Sequence, residues 1–174
     1  MSLEGPLRHR LPFRSVNRRH ASDYVPGLQR HHLLPRQLLQ QRCFGGLFDA
    51  VSLDRAALDD FRTNGLLLPS QDAAALHMAL PLHRGPHRRY NAVVMERVGR
   101  IESGWAMQRG KDPERARSQA MMRLRLLQGA LRRRLLSADR SRFALNRNDP
   151  LGQALDFTEL DAMADALWEV PLGS

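Results

Sequence analysis

The stretch LPLHRGPHRRYNAV, Leu80 to Val93, sets His83 and His87 on either side of Gly85-Pro86. A Gly-Pro pair breaks regular structure, so the two histidines cannot share one regular helix. Proline is favoured at the first helical position, and Gly85-Pro86 is therefore expected to open a helix. Tyr90, Val93, Val94, Arg97 and Ile101 follow at helical spacing, and Gly104 is expected to close it. His83 then comes from the turn and His87 from the first helical turn, so their imidazoles can converge. Arg88 and Arg89 fall at the helix N-terminus, where free backbone N–H groups attract phosphate.

A second pair, His31-His32, lies upstream in DYVPGLQRHHLLP (residues 23–35). Tyr24, Val25 and Leu28 read as a short extended segment broken at Pro26-Gly27, with the histidines at its end. Neighbours on a strand point to opposite sides. One imidazole can therefore face a metal while the other faces an attacking water. Five of the seven histidines lie between His31 and His87. Imidazole is both the commonest metal ligand and the base best matched to neutral pH. A hydrolytic metal site needs a cation with an open position and a separate group to deprotonate water. His77 sits in a mostly apolar helical stretch and reads as a packed residue; His9 and His20 read as incidental.

The rest of the chain reads as mostly helical, with two short strands at best. RQLLQQRCFGGLF (residues 36–48) is expected to form one short helix stopped by Gly45-Gly46. SLDRAALDDFRTNG (residues 52–65) is expected to form a helix capped by Ser52, with Arg55 to Phe61 spanning two turns and Asn64-Gly65 ending it. Leu66 to Pro69 is too short for anything but a buried strand or loop, and SQDAAALHMAL is a short helix candidate. A long helix starts at Asp112-Pro113 and runs to about Ser137. Ala120, Met121, Leu124, Leu127, Leu131 and Leu135 form its apolar stripe. A final amphipathic helix covers about 156–170, with Leu160, Met163, Leu167 and Trp168 inward.

The 174 residues are enough for one compact domain. Twenty-seven Lys and Arg against 18 Asp and Glu give a net charge of +9, which favours a polyanionic partner. Six of the acids lie from Asp149 onward, in a tail without Lys or Arg, so a basic body ends in an acidic segment. That tail is expected to dock its apolar face on the core; covering the basic cleft as a polyanion mimic is the sharper alternative. Cys43 is the only cysteine, which excludes an intramolecular disulfide and a thiolate-rich zinc site. No apolar run approaches the ~18 residues of a membrane span, and the N-terminus lacks the apolar core of a secretory signal. The expected location is the cytoplasm, with export by another route left open.

HHLLP at His31–Pro35, NGLLLP at Asn64–Pro69 and LHRGPHRRYNAVV at Leu82–Val94 together resemble the AHH family of the HNH/endonuclease VII nuclease superfamily. The resemblance covers roughly residues 24–104. It implies an α+β fold, mostly helical: a ββα-metal core with a short two-stranded hairpin, plus additional packed helices. The organisation it suggests is a flexible basic arm (1–22), a nuclease core (23–104) and a helical extension packed on that core (105–174). It implies His31, His83 and His87 as metal ligands, with His77 as a reserve candidate, and His32 as general base. It also implies Asn64 as the central asparagine of the catalytic site, holding the loop by hydrogen bonds rather than reacting, and Tyr90 and Asn91 as residues that pack or hold the helix start. Arg30 stands where the family has Ala.

The activity so implied is metal-dependent hydrolysis of DNA, with RNA open, leaving 5′-phosphate and 3′-hydroxyl ends. Arg30, Arg84, Arg88 and Arg89 are the candidate phosphate contacts, and no base-reading module is evident, so little sequence preference is expected. Mg²⁺ is the simplest single divalent ion, although three imidazoles suit Zn²⁺ or Ni²⁺ better; Mn²⁺ is a further candidate. The runner-up is a non-catalytic nucleic-acid-binding protein in which His31, His32, His83 and His87 close a structural site. The same nuclease chemistry used as a toxin would add an immunity protein as partner, and the stripe on the long helix would alternatively seat a second copy.

Overall fold

The computed structural model describes residues 9–137 and Leu145 of the 174. Strand β1, Leu28–His32, pairs antiparallel with β2, Gly65–Pro69. The register sets Gln29 opposite Leu68, His31 opposite Leu66 and His32 opposite Gly65. The pair is not a tight hairpin, since residues 33–64 lie between the strands. That connection holds two 3-10 turns, Arg36–Gln40 and Arg42–Phe44, then α1 (Gly45–Val51), α2 (Arg55–Leu58) and α3 (Phe61–Asn64). After β2 come α4 (Asp72–Met78), α5 (Arg88–Gln108) and α6 (Pro113–Leu136). The fold is therefore α+β and mostly helical, as the sequence suggests.

Helix α6 matches its reading closely because its signals are local. The Asp112 side chain accepts from Arg115 N at 3.0 Å, and Pro113 occupies the first turn. Ala116, Ala120, Leu124, Leu127, Leu131 and Leu135 are all buried. They pack on α5 through Val94, Val98, Ile101 and Trp105, and on α1 through Leu47, Phe48 and Val51, in one continuous core.

Several local readings give way to tertiary packing. Gly45-Gly46 starts α1 rather than stopping a helix. A Cβ on Gly46 would lie 3.3 Å from the Trp105 ring, so the glycine admits close approach of α1 to α5. The two-turn helix expected over 55–61 is split into α2, capped by Asp54, and α3, capped by Asp60, while Ser52 is a left-handed residue that ends α1. Gly104 does not close α5, because Trp105 one residue later is buried and extends the packed face. Pro86 precedes α5 instead of opening it: His87 keeps a non-helical backbone at φ −92°, ψ 55°.

Residues 11–13 are packed, against their reading as part of a loose basic arm. Leu11 and Phe13 bond to the 59–61 segment, with Phe61 N donating to Leu11 O at 2.7 Å and Phe13 N to Asp59 O at 3.1 Å. Phe13 is buried. The buried Phe13 ring and these backbone hydrogen bonds together anchor a segment whose charge suggests solvent. The acidic helix expected near 156–170, and its choice between docking and covering a cleft, lie outside the described residues.

Asn64 ties the strand connection together. It is fully buried, and its side-chain oxygen accepts from Leu34 N (2.8 Å) and from Gln128 Nε2 (3.1 Å). Its Nδ2 donates to Leu34 O and Leu58 O, both at 2.9 Å. Each amide hydrogen bond contributes only about 1 kcal/mol net, but a buried partner left bare costs about 1–3 kcal/mol. The asparagine thus fixes the loop after β1, and through Gln128 it links that loop to α6.

Candidate metal centre and its flanking histidine

The alternation of β1 sorts its side chains between two faces. Gln29 and His31 share one, Arg30 and His32 the other. On the first face His31 meets the two downstream histidines. Ring centroids lie 5.0 Å apart for His31–His83, 5.5 Å for His31–His87 and 4.4 Å for His83–His87. One ligand nitrogen from each of the three rings falls within 4.8 Å of the others. His83 is delivered by β2, since its backbone N donates to Pro69 O at 2.6 Å. His87 sits at the N-cap position of α5. Tyr90, in the first turn of α5, donates its hydroxyl to Leu33 O at 2.7 Å and sets its ring edge-on to His31, with centroids 4.9 Å apart. The helix is thereby fastened to the strand beside the cluster.

The residues fit a cation. His31 is 3% exposed, and its Nε2 has no hydrogen-bond partner. A buried, unpaired imidazole nitrogen is costly, and a metal ion shared with His83 and His87 would supply the missing partner. Burial, then the neighbouring His83 and His87, push the His31 pKa down to about 2. Burial and His87 push His83 down to about 4, and burial lowers His87 against the opposing Leu145 carbonyl. All three rings are therefore neutral at pH 7 and offer lone pairs, as metal ligands must. His83 Nδ1 lies 3.1 Å from Gln29 Oε1, and His87 Nδ1 lies 3.1 Å from the Leu145 carbonyl.

His32 stands outside this cluster. Its ring stacks on Phe13 at 3.6 Å between centroids and 4° between planes, and its Nε2 lies 3.2 Å from Asp59 Oδ1. Asp59 is itself clamped by Arg36, whose Nε donates to the same oxygen at 2.7 Å. Burial opposes the charge on Asp59, yet Arg36 and then His32 keep its carboxyl below the ordinary range. Burial is the largest influence on His32 and lowers its pKa, with the Asp59 hydrogen bond working the other way. Phe13 rests edge-on against Phe61, with centroids 5.1 Å apart. The Phe61 ring occupies the space above Gly65, where a Cβ would fall 2.2 Å from Phe61 Cδ2. Gly65 pairs with His32 in the sheet, so its missing side chain makes room for the aromatic stack that carries the His32 ring.

The expected arginines divide. Arg88 and Arg89 are exposed in the first turn of α5, beside His87. Arg30 instead donates to Phe13 O at 2.7 Å, and Arg84 pairs with Asp72 at 2.5 Å. Both hold neighbouring segments in place. Arg30 lies on an exposed strand position, so nothing in the packing demands the small residue that the family name implies there. His77 is exposed on α4 rather than packed, and it lies outside the cluster. Sequence reasoning missed Gln29, Phe13, Arg36, Asp59 and Leu145. Only Gln29 carried a signal, being two residues before His31 on a strand.

Comparison with known proteins identifies the family. The model of a nuclease family of the HNH/ENDO VII superfamily with conserved AHH matches residues 13–128. The match begins at Phe13 and ends at Gln128, beyond the span visible in the motifs at both ends. No curated protein and no solved structure matches the chain. No helix among the described residues is long and apolar enough to cross a membrane. The matched span contains the strand pair, the three clustered histidines and the stacked fourth one, and the chain belongs to the AHH family of metal-dependent nucleases, hydrolases that act on phosphodiester bonds of nucleic acid.

Proposed function

We propose that the protein is an endonuclease that hydrolyses DNA with little sequence preference, with His31, His83 and His87 holding one divalent cation and His32 acting as general base. The observation that carries this reading is the division of labour across β1. Three imidazoles converge on one face, and a fourth is clamped on the other, outside the cluster. A structural zinc site wants four closed protein ligands, whereas three leave a position open.

The proposed chemistry follows from the His32 contacts. Its Nε2–H donates to Asp59, so Nδ1 carries the lone pair that takes a proton from water. That water attacks phosphorus in line, leaving a 5′-phosphate and a 3′-hydroxyl. When bound, the cation supplies positive charge that stabilises the phosphate oxygens and the departing oxygen. Arg88 and Arg89 grip phosphate oxygens at the start of α5. Three neutral nitrogen donors favour Zn²⁺ or Ni²⁺ over the oxygen-preferring Mg²⁺.

A plasmid assay tests the reading. Supercoiled DNA is expected to be nicked on addition of Zn²⁺, Ni²⁺, Mn²⁺ or Mg²⁺, to be spared in excess chelator, and to be cut more slowly as salt rises. Cutting of RNA with plasmid spared would move the substrate to RNA. Plasmid left intact with every cation, by folded protein, would overturn the assignment to DNA.

A further inference from the structure

Both downstream histidines commit Nδ1 to an acceptor that lies outside the histidine motifs. For His83 it is the side-chain oxygen of Gln29; for His87 it is the backbone carbonyl of Leu145, which lies beyond the span that the family match covers. A carbonyl oxygen only accepts, so each Nδ1 carries the proton and the lone pair is left on Nε2. Neutral histidine free in water prefers the opposite tautomer. Contacts of this kind favour the less common form and oppose rotation of the rings.

Gln29 can reach His83 because of the sheet. It shares the His31 face of β1 and pairs with Leu68 on β2. The next residue, Pro69, accepts the backbone N–H of His83. The strand pair thus grips His83 twice, by its backbone from β2 and by its ring from β1.

We infer that Gln29 is a positioning residue of the metal centre, holding His83 as the Nδ1–H tautomer with Nε2 turned to the ion, as the Leu145 carbonyl does for His87. The inference rests on the reading of His31, His83 and His87 as ligands. Acceptors behind metal-bound histidines commonly change metal affinity by roughly 10–100-fold. Gln29 is exposed, which puts the expected effect at the lower end.

Two readouts test it without relying on turnover: the tautomer of each ring in metal-free, ¹⁵N-labelled protein, and the affinity for Zn²⁺ measured against a competing chelator. In the unaltered protein His83 and His87 are both expected as Nδ1–H. Gln29→Leu is expected to return His83 towards Nε2–H, leave His87 unchanged, and weaken Zn²⁺ binding roughly tenfold. Gln29→Glu keeps an acceptor and is expected to restore both tautomer and affinity. An Nε2–H signal from His83 in the unaltered protein overturns the inference, as does unweakened Zn²⁺ binding by Gln29→Leu. His83→Ala separates the two levels. If it binds Zn²⁺ poorly while Gln29→Leu binds it fully, only the role of Gln29 is lost; if it binds Zn²⁺ fully, the ligand assignment is lost with it.

Discussion

His32→Ala is expected to cut plasmid roughly 10²–10⁴-fold more slowly than the unaltered protein, the range that a positioned general base contributes, while binding Zn²⁺ with unchanged affinity. The separation follows from the two faces of β1. His32 touches Phe13 and Asp59, and the clustered nitrogens belong to His31, His83 and His87. Its side chain is 22% exposed, so its loss opens no sealed core cavity, and the strand pairing runs through the backbone. Nicking rates and Zn²⁺ titrations on the same preparation check both halves. Full cutting by His32→Ala would remove it as the base; loss of Zn²⁺ would make it a ligand.

His87→Ala is expected to lose Zn²⁺ and cutting together. Removing one of three ligands exceeds the roughly 10–100-fold cost of changing an outer contact, and two imidazoles are a poor chelate. The fold should survive, because α5 is held by Val94, Val98, Ile101 and Trp105 and by the Tyr90 hydroxyl on Leu33, none of which depends on the residue-87 ring. Circular dichroism should therefore match the unaltered protein while nicking disappears. A His87→Ala protein that binds Zn²⁺ as tightly as before would show that the ion, if any, sits elsewhere.

Much of the architecture was written locally. Asp112-Pro113 marks the start of α6 because a cap and a first-turn proline act within a few residues. The strand pair was legible only in part: Leu66–Pro69 reads equally as strand or loop, the segment expected from Tyr24 becomes β1 only at Leu28, and the pairing itself is what the family resemblance implies. The convergence of His83 and His87 was legible for a steric reason: Gly85-Pro86 bars a shared helix and so forces a turn between them.

What escaped was long-range. Gln29 and His83 are 54 residues apart, His87 and Leu145 are 58 apart, and His32 and Asp59 are 27 apart, and no periodicity links such partners. The ends of α5 were misjudged for a related reason. Gly104 is a local stop signal, but burial of Trp105 outweighs it; Pro86 is a local start signal, but His87 stays outside the helix as it serves the cluster. Phe13 was hidden among the arginines around it, although it supports the His32 ring.

The most direct measurement is the ligand shell of Zn²⁺ bound to the full chain, read by X-ray absorption beside His32→Ala. One ion per chain with three imidazole nitrogens at about 2.0–2.1 Å and the remaining position filled by oxygen, identical in both proteins, is the predicted result. Four imidazoles that fall to three in His32→Ala, or a shell without imidazole, would contradict it.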